Sequence, residues 1–240
     1  MTEQVLPTVH HEHADVTGGW LRPAVFGAMD GLVSNVALIA GVAAGTQGSG
    51  SSTAVVLAGF AGLSAGAFSM AVGEYTSVAS QSEAAAHEVT KERREIEVNG
   101  AAETAELAAA YVGKGVDPEL ARQVAEQIHR DVETAVAVHA KEELGVDPSE
   151  LASPMLAAVS SFVAFAVGAI IPVAPYLFGA AALWPALAVT MAALFICGAL
   201  VTRFTVQPWW FGGLRQMALG AAAAGLTYLV GDLVGGAGLG

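Results

Sequence analysis

The sequence predicts an all-α protein: five membrane-spanning helices, with an acidic helical domain inserted between the second and the third. Three observations carry that reading. Hydrophobic residues make up 54% of the 240 and charged residues only 13%, against roughly 25% charged in an average soluble chain; mean hydropathy is +0.56. The charges are also segregated. Residues 23–78 carry two, Asp30 and Glu74, and residues 153–240 carry three, Arg203, Arg215 and Asp232, whereas residues 79–150 hold 16 Asp or Glu against seven Lys or Arg. Finally, five apolar stretches reach the roughly 20 residues that a spanning helix needs. This composition excludes disorder, which requires low hydrophobicity and high charge. The single cysteine, Cys197, excludes a disulfide framework and any multi-cysteine metal site. A net charge of −12 has the wrong sign for binding nucleic acid.

The organisation is therefore a polar, histidine-bearing tail (1–22), two spans (23–78), an acidic helical insert (79–150) and three more spans (151–240). The tail has no apolar stretch before a cleavage site, so it is not a secretory signal. Its His10, His11 and His13 read as part of a solvated segment rather than a metal site. The predicted spans are 24–45, 53–77, 155–178, 183–201 and 214–234. A Gly/Ser turn, 46–52, joins the first two, and Pro172 and Pro175 should kink or end the third. All ten Lys and Arg fall on one side of this arrangement. The positive-inside rule then makes the N-terminus, the insert and the 203–215 connection cytoplasmic.

Within the insert, residues 81–98 contain no Gly or Pro and continue directly from the second span. Asn99-Gly100 should stop that helix, Gly being suited to a left-handed C-terminal position. A second helix covers 101–112 and is closed by 113–115. Asp117-Pro118 then places an N-cap before a proline at the first helical position. It starts a helix to about 130, with further helix to 144. Asp147-Pro148-Ser149-Glu150 has capping-box spacing and should open the third span.

Chemistry concentrates in two places. In the insert, Glu92 and Glu95 share one helix face, with Glu88 a turn earlier, and Glu103 and Glu106 repeat the spacing beyond the Asn99-Gly100 break. Glu142-Glu143 offers a further oxygen from the last insert helix. Clustered carboxylates repel unless a cation neutralises them, and hard oxygen ligands suit Fe²⁺ or Mn²⁺; the bland alternative is a solvated helix surface. Glu126 and His129 form one ExxH, whereas a di-iron bundle needs two. In the membrane, Asp30 lies inside the first span, where an acid costs about 2.5–3.5 kcal/mol and marks an ion or proton path. Met70 and Glu74, a turn apart near the inner end of the second span, add a thioether and a carboxylate. The pairs Gly27/Gly31, Gly41/Gly45 and Gly62/Gly66 permit close helix approach and can drive dimerisation.

Three segments, taken in order, resemble the vacuolar iron transporter family: Asp30-Gly31-Leu32-Val33-Ser34-Asn35, Ser69-Met70-Ala71-Val72-Gly73-Glu74-Tyr75 and Val167-Gly168-Ala169-Ile170-Ile171-Pro172. The resemblance covers residues 20–235. It implies a homodimeric, proton-coupled exporter of Fe²⁺, with Mn²⁺ and Zn²⁺ as further candidate substrates, and neither a prosthetic group nor an enzymatic reaction. It assigns Glu92, Glu95, Glu103, Glu106 and Glu143 to metal ligation in a cytosolic domain, and Asp30 and Met70, with Glu74 beside them, to the translocation path. The protein would lie in the cell (inner) membrane if bacterial. Two departures stand out. His139-Ala140 occupies the place of a methionine pair common in the family, which makes His139 a candidate substitute ligand. Pro23 stands where some members carry an acid. The rival readings are a membrane-anchored di-iron oxidase and a tethered metal-binding module without transport.

Overall fold

The computed structural model describes residues 19–46 and 52–237; the histidines of the tail and most of the predicted turn after the first span lie outside them. The described residues form helices joined by turns and short connections, without a β-strand. Seven α-helices follow in order: α1 (Leu21–Gly45), α2 (Ser52–Gly113), α3 (Pro118–Ile128), α4 (Val132–His139), α5 (Pro154–Leu177), α6 (Trp184–Val201) and α7 (Trp209–Gly236). Helices α1, α2, α5, α6 and α7 each contain a window long and apolar enough to cross a membrane.

The boundaries differ from expectation for local reasons. Helix α1 starts before Pro23 rather than after it, because proline in the first turn forfeits only an N–H that has no intrahelical acceptor. Asn99-Gly100 does interrupt the helix as expected, but as a kink between two helices rather than a left-handed stop. Asn99 alone leaves helical geometry (φ −125°, ψ 30°), and the helix resumes to Gly113, with Gly100 never taking a left-handed conformation. The stop comes at Gly115, whose φ of +92° does require glycine. Asp117 caps α3 as expected, its Oδ1 accepting from the N–H groups of Glu119 and Leu120 at 3.0 and 3.2 Å. A cap not foreseen, Asp131 accepting from Thr134 N at 2.9 Å, separates α4 from α3. The turn after α4, Ala140–Leu144, is a π-helix closed by Gly145 at φ +66°. Asp147 does not open the next span. It folds into its own turn, accepting from Ser149 N at 2.9 Å and pairing with Lys141 at 2.5 Å, and Ser153 caps α5 instead. Pro172 and Pro175 lie inside α5, which runs two residues past the second.

The chain divides into two compact units. One comprises the residues up to Phe68 together with those from Ser160 onwards. Here α1 packs against α6 and α7, and α6 against α7. Glycines set the closeness of approach. A Cβ on Gly31 would lie 2.3 Å from Phe165 O of α5, and one on Gly231 of α7 would lie 2.0 Å from Gly41 O. The three glycine pairs expected to mediate dimerisation thus meet partners of their own chain. Gly27/Gly31 face α5, Gly41/Gly45 face α7, and Gly62/Gly66 face Asn35, Leu38 and Phe165. The interior is small, built on Ile39, Val55, Val173, Tyr176 and Ala186. Large side chains such as Leu57, Phe68, Leu226 and Leu233 point outward and are exposed. That inversion suits lipid rather than water as the surrounding medium.

The second unit, Ser69–Val159, holds most of α2 with α3, α4 and the π-turn. Ile96, Ala135 and Val136 form its apolar core, with Val89 and Ile128 against them. Ion pairs tie its elements together: Arg93 grips both carboxylate oxygens of Glu133, and Lys114 pairs with Glu142.

Candidate metal centre

Glu92 and Glu103 lie on either side of the Asn99 break. Eleven residues of unbroken helix would set their Cα atoms about 16 Å apart along the axis, too far for the two carboxylates to meet. The break bends the chain and brings them together. One ligand atom each from Glu92, Glu103 and His139 falls within 4.8 Å of the others, so the three can chelate a single cation. His139 is wholly buried and Glu92 is 7% exposed. The imidazole reaches two carboxylates at once: Nδ1 lies 2.8 Å from Glu143 Oε1 and 2.9 Å from Glu92 Oε1. The hydrogen bond goes to Glu143, leaving Glu92 Oε1 and His139 Nε2 buried without a hydrogen-bond partner among the described residues. The ring of His129 packs edge-to-face against His139, centroids 5.1 Å apart, and is itself held by Nδ1 donating to Ala125 O at 2.9 Å.

The electrostatics favour a cation. Burial pushes the Glu92 carboxyl above its ordinary value; Glu143, Glu103 and Glu95 add to the rise, and only His139 opposes it. Burial likewise raises Glu103, with Glu106, Glu95 and Glu143 adding and His139 opposing. A divalent ion would replace this repulsion with attraction. The donor set of two carboxylates and one imidazole suits Fe²⁺, Mn²⁺ or Zn²⁺.

Not every sequence candidate joins the cluster. Glu95 is half-buried and Glu106 exposed, and both act on their neighbours through charge. Glu142 is engaged by Lys114, and Glu88 lies 3.8 Å from Lys91. Glu126 of the ExxH is paired with Arg122, two surface residues. In the membrane-spanning part, Asp30 Oδ1 accepts the Ser34 hydroxyl at 2.6 Å. Met70 is half-buried; Glu74, one turn on, is buried, and its Oε2 has no partner among the described residues. Asn35 was legible only as part of a motif, yet it is buried. Its Nδ2 donates to Ala169 O at 2.6 Å, and its Oδ1 has no partner among the described residues. The signal that could have found it is the one that found Asp30: a polar side chain in an apolar span.

The profile of the VIT family matches residues 21–232. The chain belongs to the VIT family. Among relatives, a vacuolar iron transporter of Acanthamoeba castellanii is 39% identical over 231 residues, covering 93% of this chain and 82% of that protein. Vacuolar iron transporter 2 of Oryza sativa subsp. japonica is 29% identical, covering 94% and 92%. Vacuolar iron transporter 1 of Arabidopsis thaliana is 28% identical, covering 94% and 90%. The VIT family match includes both the apolar helices and the acidic unit.

Proposed function

We propose that this member of the VIT family is a transporter, not an enzyme, and moves Fe²⁺, with Mn²⁺ as a second substrate, out of the cytosol in exchange for protons. In this reading it works as a homodimer in the membrane. Residues 1–22 form a polar tail, and residues 79–150 a cytosolic domain inserted between the spans at 23–78 and 151–240. Glu92, Glu95, Glu103, Glu106 and Glu143, with His139, collect the ion; Asp30, Met70 and Glu74 carry it through the membrane. The observation that carries the reading is the meeting of buried Glu92 and His139 with half-buried Glu103 in a chain whose relatives are named vacuolar iron transporters. The exchange follows from ligand chemistry. Carboxylates must lose protons to bind metal, so ion and proton compete for the same oxygens, and each drives the other off.

The test is Fe²⁺ uptake into vesicles carrying the purified chain, with the lumen acidic or at the outside pH. An acidic lumen should accelerate uptake, and Asp30→Asn, which keeps the shape and removes the charge, should abolish it while metal binding by the insert persists. Uptake indifferent to the gradient would overturn the exchange mechanism. Full transport by Asp30→Asn would remove that residue from the path.

A further inference from the structure

The connection between α6 and α7 joins two membrane-spanning helices and therefore lies at a bilayer surface. A cavity of about 630 Å³ opens there, within the roughly 300–1,000 Å³ of small-molecule sites. Its lower wall is apolar, formed by Ile196 and Leu200 of α6, whose side chains face outward. Its rim is polar, with Arg203 in the turn that ends α6 and Gln207 in the connection. Trp209, the first residue of α7, closes one side with its ring 6.0 Å from that of Phe195 in a perpendicular contact.

Arg203 has no ion-pair partner among the described residues of its own unit. The carboxylates among that unit's described residues are Asp30, which accepts from Ser34, and Asp232. Asp232 lies 23 residues beyond the start of α7, about 34 Å by helix rise. A guanidinium always carries its charge and pairs bidentately with phosphate. The site therefore presents a permanent cation, an amide and an indole N–H above an apolar trough at membrane-surface depth.

We propose that this cavity binds an anionic phospholipid, with the phosphate on Arg203 and Gln207, the glycerol region against Trp209 and one acyl chain along Ile196 and Leu200. The apolar trough selects an amphiphile over free phosphate. The uncompensated cation selects a headgroup with net negative charge over a zwitterionic one, which brings its own ammonium. Lipid recognition of this kind is independent of what the protein transports.

The probe is brominated phosphatidylglycerol, which quenches tryptophan on contact, titrated into phosphatidylcholine vesicles carrying the full chain with Trp20, Trp184 and Trp210 replaced by Phe. Trp209 should be quenched at a lower mole fraction of brominated phosphatidylglycerol than of brominated phosphatidylcholine. Arg203→Gln should reduce that preference about fivefold, the equivalent of about 1 kcal/mol for one basic residue at a lipid surface. Arg215, six residues into α7 and absent from the cavity lining, is the control, and Arg215→Gln should leave the preference unchanged. Equal losses in both variants would mean diffuse attraction between charges and overturn the site, as would equal quenching by the two lipids. Relief of quenching by millimolar inorganic phosphate would make it a phosphate-ion site and likewise overturn the proposal.

Discussion

At the scale of single residues, the raised pKa values of Glu92 and Glu103 fix the sign of a stability measurement. The folded, metal-free chain retains protons that the unfolded chain, with carboxyls near 4.5, has already released. Stability from these groups is therefore fully present at low pH and is lost as pH rises through their folded-state values. Without metal, the Tm advantage of Glu103→Gln over the parent should grow from pH 4.5 to 7; Mn²⁺ should reverse the order by stabilising the parent more than the variant. A constant difference would mean that neither burial nor the neighbouring carboxylates raise Glu103 in the folded state. Calorimetry with the full chain should show Mn²⁺ binding weakened at least about tenfold by Glu103→Ala with Glu106→Ala, a loss of about 1.4 kcal/mol. Transport by that double variant should slow at low metal and recover at high metal. His139→Met fills a similar volume but replaces a nitrogen with a thioether. It should lower Zn²⁺ affinity more than Mn²⁺ affinity, since imidazole suits zinc and carboxylate suits manganese; equal losses would place His139 outside the ligand set.

At the scale of elements, Asn99 is the decisive position. Both glutamate pairs were legible in the sequence because they repeat i, i+3 spacing on either side of a helix-breaking dipeptide. That the break could gather the two pairs was legible as well; the geometry of the break was not, because local propensity distinguishes a stop from a bend poorly. The helix boundary near 130 was legible but its Asp131 cap was not, and the π-turn was missed because it sits inside an Ala/Val/Glu run that reads as continuous helix. The capping box at Asp147 was a true local motif used for a turn, its carboxylate already held by Lys141 and Ser149. Replacing Asn99 and Gly100 together by Ala should favour a straight α2, lengthen the distance between spin labels at Lys91 and Ala109, and weaken Mn²⁺ binding with little loss of helix signal. Unchanged distance and affinity would show that tertiary packing alone holds the bend.

At the scale of the molecule, the five apolar windows and the acidic insert were readable from composition alone, since no other medium tolerates charge so scarce over such lengths. The partners of the glycine pairs were not readable, because spacing reports that a helix can be approached closely and not by what. The distribution of the ten bases makes a topological prediction. Reporter fusions at Gln47 and Gly179 should register outside the cytosol, and fusions within the insert inside. A cytosolic reading at Gly179 would break the five-span arrangement.

The close contact of the first spanning helix with the last has a consequence for biosynthesis. The surface of α1 around Ala37 and Gly41 is completed by Thr227 and Gly231, with the Thr227 hydroxyl donating to Ala37 O at 2.7 Å across 190 residues of sequence. The ribosome must add more than 160 residues after α1 before α7 begins, which takes about 10–30 s at ordinary rates. Throughout that interval the face of the first helix that carries Gly41 and Gly45 has no final partner. Membrane insertion therefore finishes where it started, with the last helix closing the seam that the first one opened.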